Sequence, residues 1–167
     1  MTLTVNPTRS ALRVIVALLF AVWWGGFTFY AAVVVPTGGR VLGSATAQGF
    51  VTLPVSDRIN VLGAVVIATL AWNAFSARRG SSLRTRRVLA ISWAVLAAAH
   101  LVLVVLHLRL DGMVDLNTRS IVAERSVFYA THRAYLLVAT AQWLAAIVHA
   151  FAVAHAWSHT PGTSRER

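Results

Sequence analysis

Cysteine is absent from the 167 residues. That excludes disulfides, thiolate metal ligands and iron–sulfur clusters. Lysine is absent too, so all 15 basic residues are arginine; such uniformity reads as a coding bias, not as 15 sites that each need a guanidinium. Acidic residues number only five, and charged residues of both signs make up 12% of the chain against 57% hydrophobic. A soluble domain carries about twice that share of charge. Also missing are a nucleophile elbow, a phosphate-cradling glycine loop, a paired-carboxylate motif and the HExxH metal spacing.

What is present is long apolar sequence. No charge falls within 14–39, 59–77, 88–108 or 134–164. A spanning helix needs about 20 mostly apolar residues, so four transmembrane helices are expected, near 13–35, 59–77, 88–108 and 133–157. The first run follows Arg9 and Arg13 as a signal peptide would, but it exceeds the roughly 7–15 apolar residues of a cleaved signal and reads as a retained anchor. One domain, 1–167, is expected: an all-α, integral membrane, antiparallel four-helix bundle.

The net charge of +10 is unevenly spread. "ARRGSSLRTRR" gathers Arg78, Arg79, Arg84, Arg86 and Arg87 between the second and third spans. The positive-inside rule makes that link cytoplasmic. Arg9, Arg13, Arg165 and Arg167 then share its side, while Asp57, Asp111, Asp115 and Glu124 fall opposite. The expectation is an inner-membrane protein of bacterial type with both termini cytoplasmic. The basic charge is a topology signal, so the partners expected are the lipid bilayer, a membrane protein or further copies of the chain, and no nucleic acid.

The two external connections differ in character. "PTGGRVLGSATAQGFVTLPVSD" is rich in glycine and proline and reads as a loop, with the first helix ending before Pro36 and Ser56 or Asp57 capping the second. Before the last span, Ile121, Arg125, Phe128, His132 and Tyr135 recur at helical spacing. Asp115 and Arg119 stand four apart in the favourable order, and Asn117 or Thr118 offers a cap. A short external helix is expected there, separate or running into the last span. Gly25 and Gly26 suggest close helix approach in the first span.

Polar residues inside the spans carry the functional expectation. In the last span His132, Tyr135, Ala139, Gln142, Trp143, Ala146, His149 and Val153 form one stripe about 120° wide at 100° per residue. In the third, Trp93, His100 and His107 repeat every seven residues. Polar groups in hydrocarbon face the bundle interior, so the two stripes should face one another. At about 1.5 Å per residue, no two buried histidines share a level, which argues against a bis-histidine haem. His100, Gln142 and His149 form a buried polar stripe. At the outer level Asp57, Arg58, Asn60, His107, Arg109, Asp111, Glu124, His132, Arg133 and Tyr135 are expected to converge in a rim. Snorkelling arginines and an aromatic belt of Trp23, Trp24, Tyr129, Tyr135 and Trp157 are the plainer reading of the same residues.

As a site, the rim suits three chemistries: His107 and His132 with a carboxylate for zinc, copper or non-haem iron; His132, Arg133 and Tyr135 around a quinone or phenol; or arginines on a lipid phosphate. "GGFTFYAAVVVPTGGRVLG" resembles small bacterial four-helix membrane proteins that include the anthrone-oxygenase-like group, over about 40 residues plus the four-helix plan. "THRAYLLVATAQW" is similar to the final helix of related proteins. The resemblance implies at most a cofactor-free or metal-assisted oxidation of a phenolic substrate, and it assigns no catalytic residue. The leading expectation is a membrane-complex component, or a protein that binds lipid or another hydrophobic ligand. A small membrane oxidoreductase or cofactor-binding subunit comes second, and an oligomeric transporter third.

Overall fold

The computed structural model describes residues 7–76 and 82–158; Arg78, Arg79, Arg165 and Arg167 of the topology argument lie outside them. Four helices are long and apolar enough to cross a membrane: Ser10–Leu42, Thr46–Trp72, Leu83–Asp111 and Arg125–Ser158. They make the chain a multi-pass membrane protein with the antiparallel four-helix plan. In chain order the elements are α1 (Pro7–Phe29), a π-helical turn (Tyr30–Val34), α2 (Val35–Leu42), α3 (Ala45–Ser76), α4 (Leu83–Asp111), β1 (Val114–Asp115), β2 (Ser120–Ile121) and α5 (Arg125–Ser158).

The helices overrun the expected spans, mostly on the side of the acidic residues. The first does not end before Pro36. Val35 donates its N–H to Tyr30 C=O, one residue further back than in an α-helix, and Pro36 enters α2 in the first turn. Proline is tolerated there because first-turn N–H groups need no helical partner. The segment taken for a loop is thus helical too. Gly43 adopts φ 62°, donates to Gly39 C=O and closes α2 as a left-handed cap. Ser44, not Ser56 or Asp57, caps α3: its side chain accepts from Ala47 N–H at 3.3 Å. Pro54 then sits inside α3 without ending it, as proline is tolerated within membrane-spanning helices. On the opposite side Ser82 caps α4 by accepting from Thr85 N–H at 3.2 Å, so Arg84, Arg86 and Arg87 belong to the first turns of α4, not to a loop.

The segment between α4 and α5 holds a β-hairpin. Val114 pairs with Ile121 and Asp115 with Ser120, antiparallel. Asp115 Oδ1 accepts from Asn117 N–H at 2.8 Å and Thr118 N–H at 3.3 Å, and Arg119 takes φ 50°. An aspartate that bonds the backbone two and three residues on competes with helix formation. Asn117 and Thr118 therefore belong to a turn, and the expected Asp115–Arg119 helical pair does not form. Glu124 precedes α5, its carbonyl accepting from Phe128 N–H at 3.0 Å, and α5 then runs unbroken into the last span.

A seven-residue logic organises the interior. The buried positions of α4 are Leu89, Leu96, His100, Leu103, His107 and Leu110; those of α5 are Ala139, Gln142, Ala146, His149, Val153 and Ala156. Alternating steps of three and four are the signature of two helices interlocking along a seam. Val16 and Trp23 of α1, Val66 and Leu70 of α3, Leu96 and Ala146 close one core. The outward faces stay apolar, with Leu18, Leu101, Leu137, Val148 and Phe151 among the exposed residues, as a lipid-facing surface requires.

Candidate functional site

Three buried polar levels line the bundle. The outermost lies between α3, α4 and α5. His107 is buried, with Nε2 4.0 Å from Asp57 Oδ1, an approach that becomes an ion pair when the imidazole carries a proton. Its ring stands 6.2 Å, centroid to centroid, from the Tyr135 ring. The Tyr135 hydroxyl reaches the side chains of Asn60 and Ser56. Tyr30, the first residue of the π turn, adds its hydroxyl, donating to Thr52 C=O at 3.2 Å and lying 3.4 Å from Ser56 Oγ.

About 10 Å deeper, seven residues along α4, Gln142 Nε2 donates to His100 Nδ1 at 3.1 Å. An amide nitrogen only donates, so His100 Nδ1 is the acceptor and Nε2 carries the ring proton. The ring also approaches the backbone of Asn60. Asn60 Nδ2 and His100 Nε2 have no partner at hydrogen-bond geometry among the described residues. Gly63 is what admits this level. A Cβ there would stand 2.7 Å from His100 Cε1 and 2.8 Å from Trp23 Nε1, so only glycine leaves room for both rings against α3.

The third level, nearer the opposite end, pairs His149 Nδ1 with Ser92 Oγ at 2.8 Å. Leu96 and Ala146, both 0% exposed, fill the bundle between it and the second level. The polar residues are therefore two separated sets, not a continuous path across one molecule.

The expected rim is divided by this geometry. Asp57, Asn60, His107 and Tyr135 come together. His132 does not join them: it is exposed and stacks on Phe128, with ring centroids 6.2 Å apart and planes 5° from parallel. Arg58, Arg109, Asp111 and Arg133 are exposed, without a hydrogen bond or ion pair to this cluster. The Glu124 carboxylate accepts from Ser126 Oγ at the start of α5. Among the described residues no three His, Asp or Glu side chains are grouped as a metal site, so the metal reading retains only Asp57 and His107 as neighbours. His100, Gln142 and His149 are all buried, as the stripe implied, although Gln142 and His149 serve different levels.

The aromatic residues are also redistributed. Trp23 is buried against Phe20 and Gly63, not in an interfacial belt. Trp24 stacks on Trp143 at 5.3 Å, and Trp143 Nε1 donates to Thr28 Oγ1 at 2.8 Å. Tyr129 is exposed as expected, and Trp157 lies under the Arg13 guanidinium at 5.5 Å. Gly25 and Gly26 open no close approach, since a Cβ at either would meet nothing within 4 Å. Tyr30, Ser56, Gly63 and Ser92 are participants that sequence reasoning passed over. Tyr30 was legible: Val16 and Trp23 on α1 and Tyr30 just after it repeat every seven residues, as on α4.

No family model, no curated protein and no solved structure matches the chain.

Proposed function

We propose that this protein is an inner-membrane ligand-binding component, both termini cytoplasmic, that holds a hydrophobic molecule by an oxygen acceptor at its external half. One observation carries the reading: a buried amide donor, Asn60 Nδ2, lies beside the Tyr135 hydroxyl but makes no hydrogen bond of full geometry. A buried unsatisfied donor costs about 1–3 kcal/mol, and a carbonyl or ether oxygen supplied by a ligand offsets that cost. Lipid tails surround the site, so the body of such a ligand needs no further enclosure. A membrane protein partner or a second copy of the chain is the other occupant this surface serves. The orientation rests on the arginines at the start of α4 and in the adjoining link.

The test is chemical. Solvent extracts of wild-type protein, purified mildly, are compared by mass spectrometry with those of Asn60→Leu and Tyr135→Phe. A carbonyl- or ether-bearing lipophile enriched with wild type and depleted in both variants supports the reading. Identical extracts from all three proteins remove it.

A second reading is a small oxidoreductase or cofactor-binding subunit for a quinone-like or phenolic molecule, in keeping with the resemblance to the anthrone-oxygenase-like group. It is favoured by the neighbouring imidazole of His107 and phenol of Tyr135, a pair able to exchange protons with a bound oxygen. Absorption spectra and metal content of one purified sample decide it. A near-stoichiometric chromophore or metal, lost in His107→Ala, supports it; a colourless, metal-free protein leaves the binding reading. An oligomeric transporter would need its path between copies, because Leu96 and Ala146 fill the interior of one.

A further inference from the structure

The third polar level opens onto a cavity that the outer site does not use. A space of about 130 Å³ lies between α1, α3 and α5, walled by Val16, Phe20, Leu70, Val153, Trp157 and His149. It sits in the half of the bundle that ends at Ser158, with His149 nine residues, or about 13 Å, from that end of α5. Alanines at its mouth, Ala17 and Ala154, are exposed toward lipid. Apart from the imidazole its walls are aliphatic and aromatic.

The imidazole is oriented for one task. Ser92 Oγ donates its single proton to Leu89 C=O at 3.2 Å. With that proton on Leu89, the serine oxygen accepts from His149 Nδ1–H at 2.8 Å; with it on His149 Nδ1 instead, Nε2 carries the ring proton. A neutral ring protonated at Nδ1 carries its lone pair on Nε2. That atom is fully buried and has no partner among the described residues, in a side chain 1% exposed. A buried polar atom without a partner demands an explanation. Water is a poor one, because an ordered buried water needs two to four polar partners and, beside Nε2, the lining side chains offer only the Trp157 indole N–H.

We propose that His149 holds its ring proton on Nδ1 and that this crevice binds a hydrophobic molecule carrying one hydroxyl group, its O–H donating to His149 Nε2 and its body leaving between α1 and α5 into lipid. An apolar cavity of about 150 Å³ accepts a benzene ring, so the space takes one ring or a short chain segment beside the hydroxyl. The polarity of the hydrogen bond sets the class. A ketone, ester or ether presents only acceptors and faces the lone pair unfavourably. This site is separate from the acceptor-binding outer level, with Leu96 and Ala146 between them, and each stands or falls alone.

The experiment uses the full chain in lipid nanodiscs and a long-chain alcohol bearing a photoreactive diazirine. Labelled peptides should map to the segments around Val16–Phe20 and His149–Trp157. The matching unlabelled alcohol should compete, and its methyl ether about five- to tenfold less well, the equilibrium consequence of one hydrogen bond. An alkylphenol and its methyl ether, run in parallel, show whether a ring or a chain is preferred. His149→Ala should lower labelling by a similar factor. Ala154→Trp, at an exposed position that leaves the interior packing alone, should block the mouth and abolish it, and this holds even if His149→Ala fails to fold. Asn60→Leu should change nothing. Equal competition by alcohol and ether, or wild-type labelling of Ala154→Trp, overturns the proposal.

Discussion

Gln142 of α5 and His100 of α4 meet through one 3.1 Å hydrogen bond, with Gln142 5% exposed and His100 7%. The bond explains how an apolar helix accommodates an amide near its middle: the amide and the imidazole satisfy each other across the seam. Thr140, two positions away and facing outward, is satisfied differently, by donating to Leu136 C=O at 2.9 Å within its own helix. Polarity in α5 is thus tolerated residue by residue, through partners that the helix pairing or the helix itself provides.

Interhelical hydrogen bonds in membranes are worth about 0.6–2 kcal/mol. Gln142→Leu and His100→Leu should each lower thermal stability in detergent, and the double variant should lose less than the sum. A double-mutant cycle giving about 0.6–1.7 kcal/mol of coupling is expected; additivity within error would mean that the pair does not interact.

Glycine positions should divide sharply. Gly63→Ala places a methyl group within 2.7 Å of His100 Cε1 and 2.8 Å of Trp23 Nε1, and overpacking of this kind costs about 1–3 kcal/mol. Gly26→Ala meets nothing within 4 Å and should be neutral or stabilising by up to about 1 kcal/mol, from helix propensity alone. Melting curves that rank the two the other way round would place α3 wrongly against α4.

The two outer histidines should also separate. His107 is buried beside Asp57 and Tyr135, whereas His132 is exposed on Phe128. Surface substitutions usually stay within about 0.5 kcal/mol, and loss of a buried polar contact costs about 1–3 kcal/mol. His132→Ala should melt near wild type and His107→Ala clearly below it. Cysteines at 107 and 132 should link poorly for the same reason.

The hairpin turn should report pH through Asp115. Hydrogen bonds from Thr118, at side chain and backbone, and from Asn117 N–H hold its carboxyl below the ordinary value of 3.8. A lowered folded pKa means that the stabilisation is complete above the unfolded value and is lost as pH falls through the folded one. Amide protection at Asn117 and Thr118 should therefore persist to below about pH 4 and then disappear, while Asp115→Asn should flatten that profile. Asp115 is solvent-exposed in electrostatic terms, so only the turn should respond.

Much of the plan was legible in composition and spacing. The uncharged runs announced four spans because hydrocarbon penalises charge wherever it falls. The stripe from Tyr135 to Val153 announced the inner face of α5, and His100 with His107 that of α4, because a seam repeats every seven residues whatever the partner. The segments beside Pro36 and Asp115 differ from their expected form for an equally physical reason. Glycine and proline at Pro36, Gly43 and Pro54 signal a break in isolated sequence, yet Pro36 falls in a first turn after a π turn, Gly43 forms a left-handed cap and Pro54 is carried inside α3. The Asp115 side chain bonding the backbone of Asn117 and Thr118 turned the first part of the expected helix into a hairpin, while the part from Arg125 on is helical and runs into the last span as one of the two expected forms.

Sequence by itself determined that the chain crosses a membrane four times and which faces of α4 and α5 are polar, because transfer free energy and helical periodicity are local properties. Tertiary structure alone decided which polar residues meet. His107 and His132 lie at the outer end of their helices in sequence, yet helix rotation buries one beside Asp57 and turns the other outward onto Phe128. His149 acquires its orientation only from Ser92, 57 positions away, and its opening only from the faces that α1 and α3 bring to it. Rotation, relative height and the space beside a glycine arise when helices pack, so the sites they create exist only in the assembled bundle.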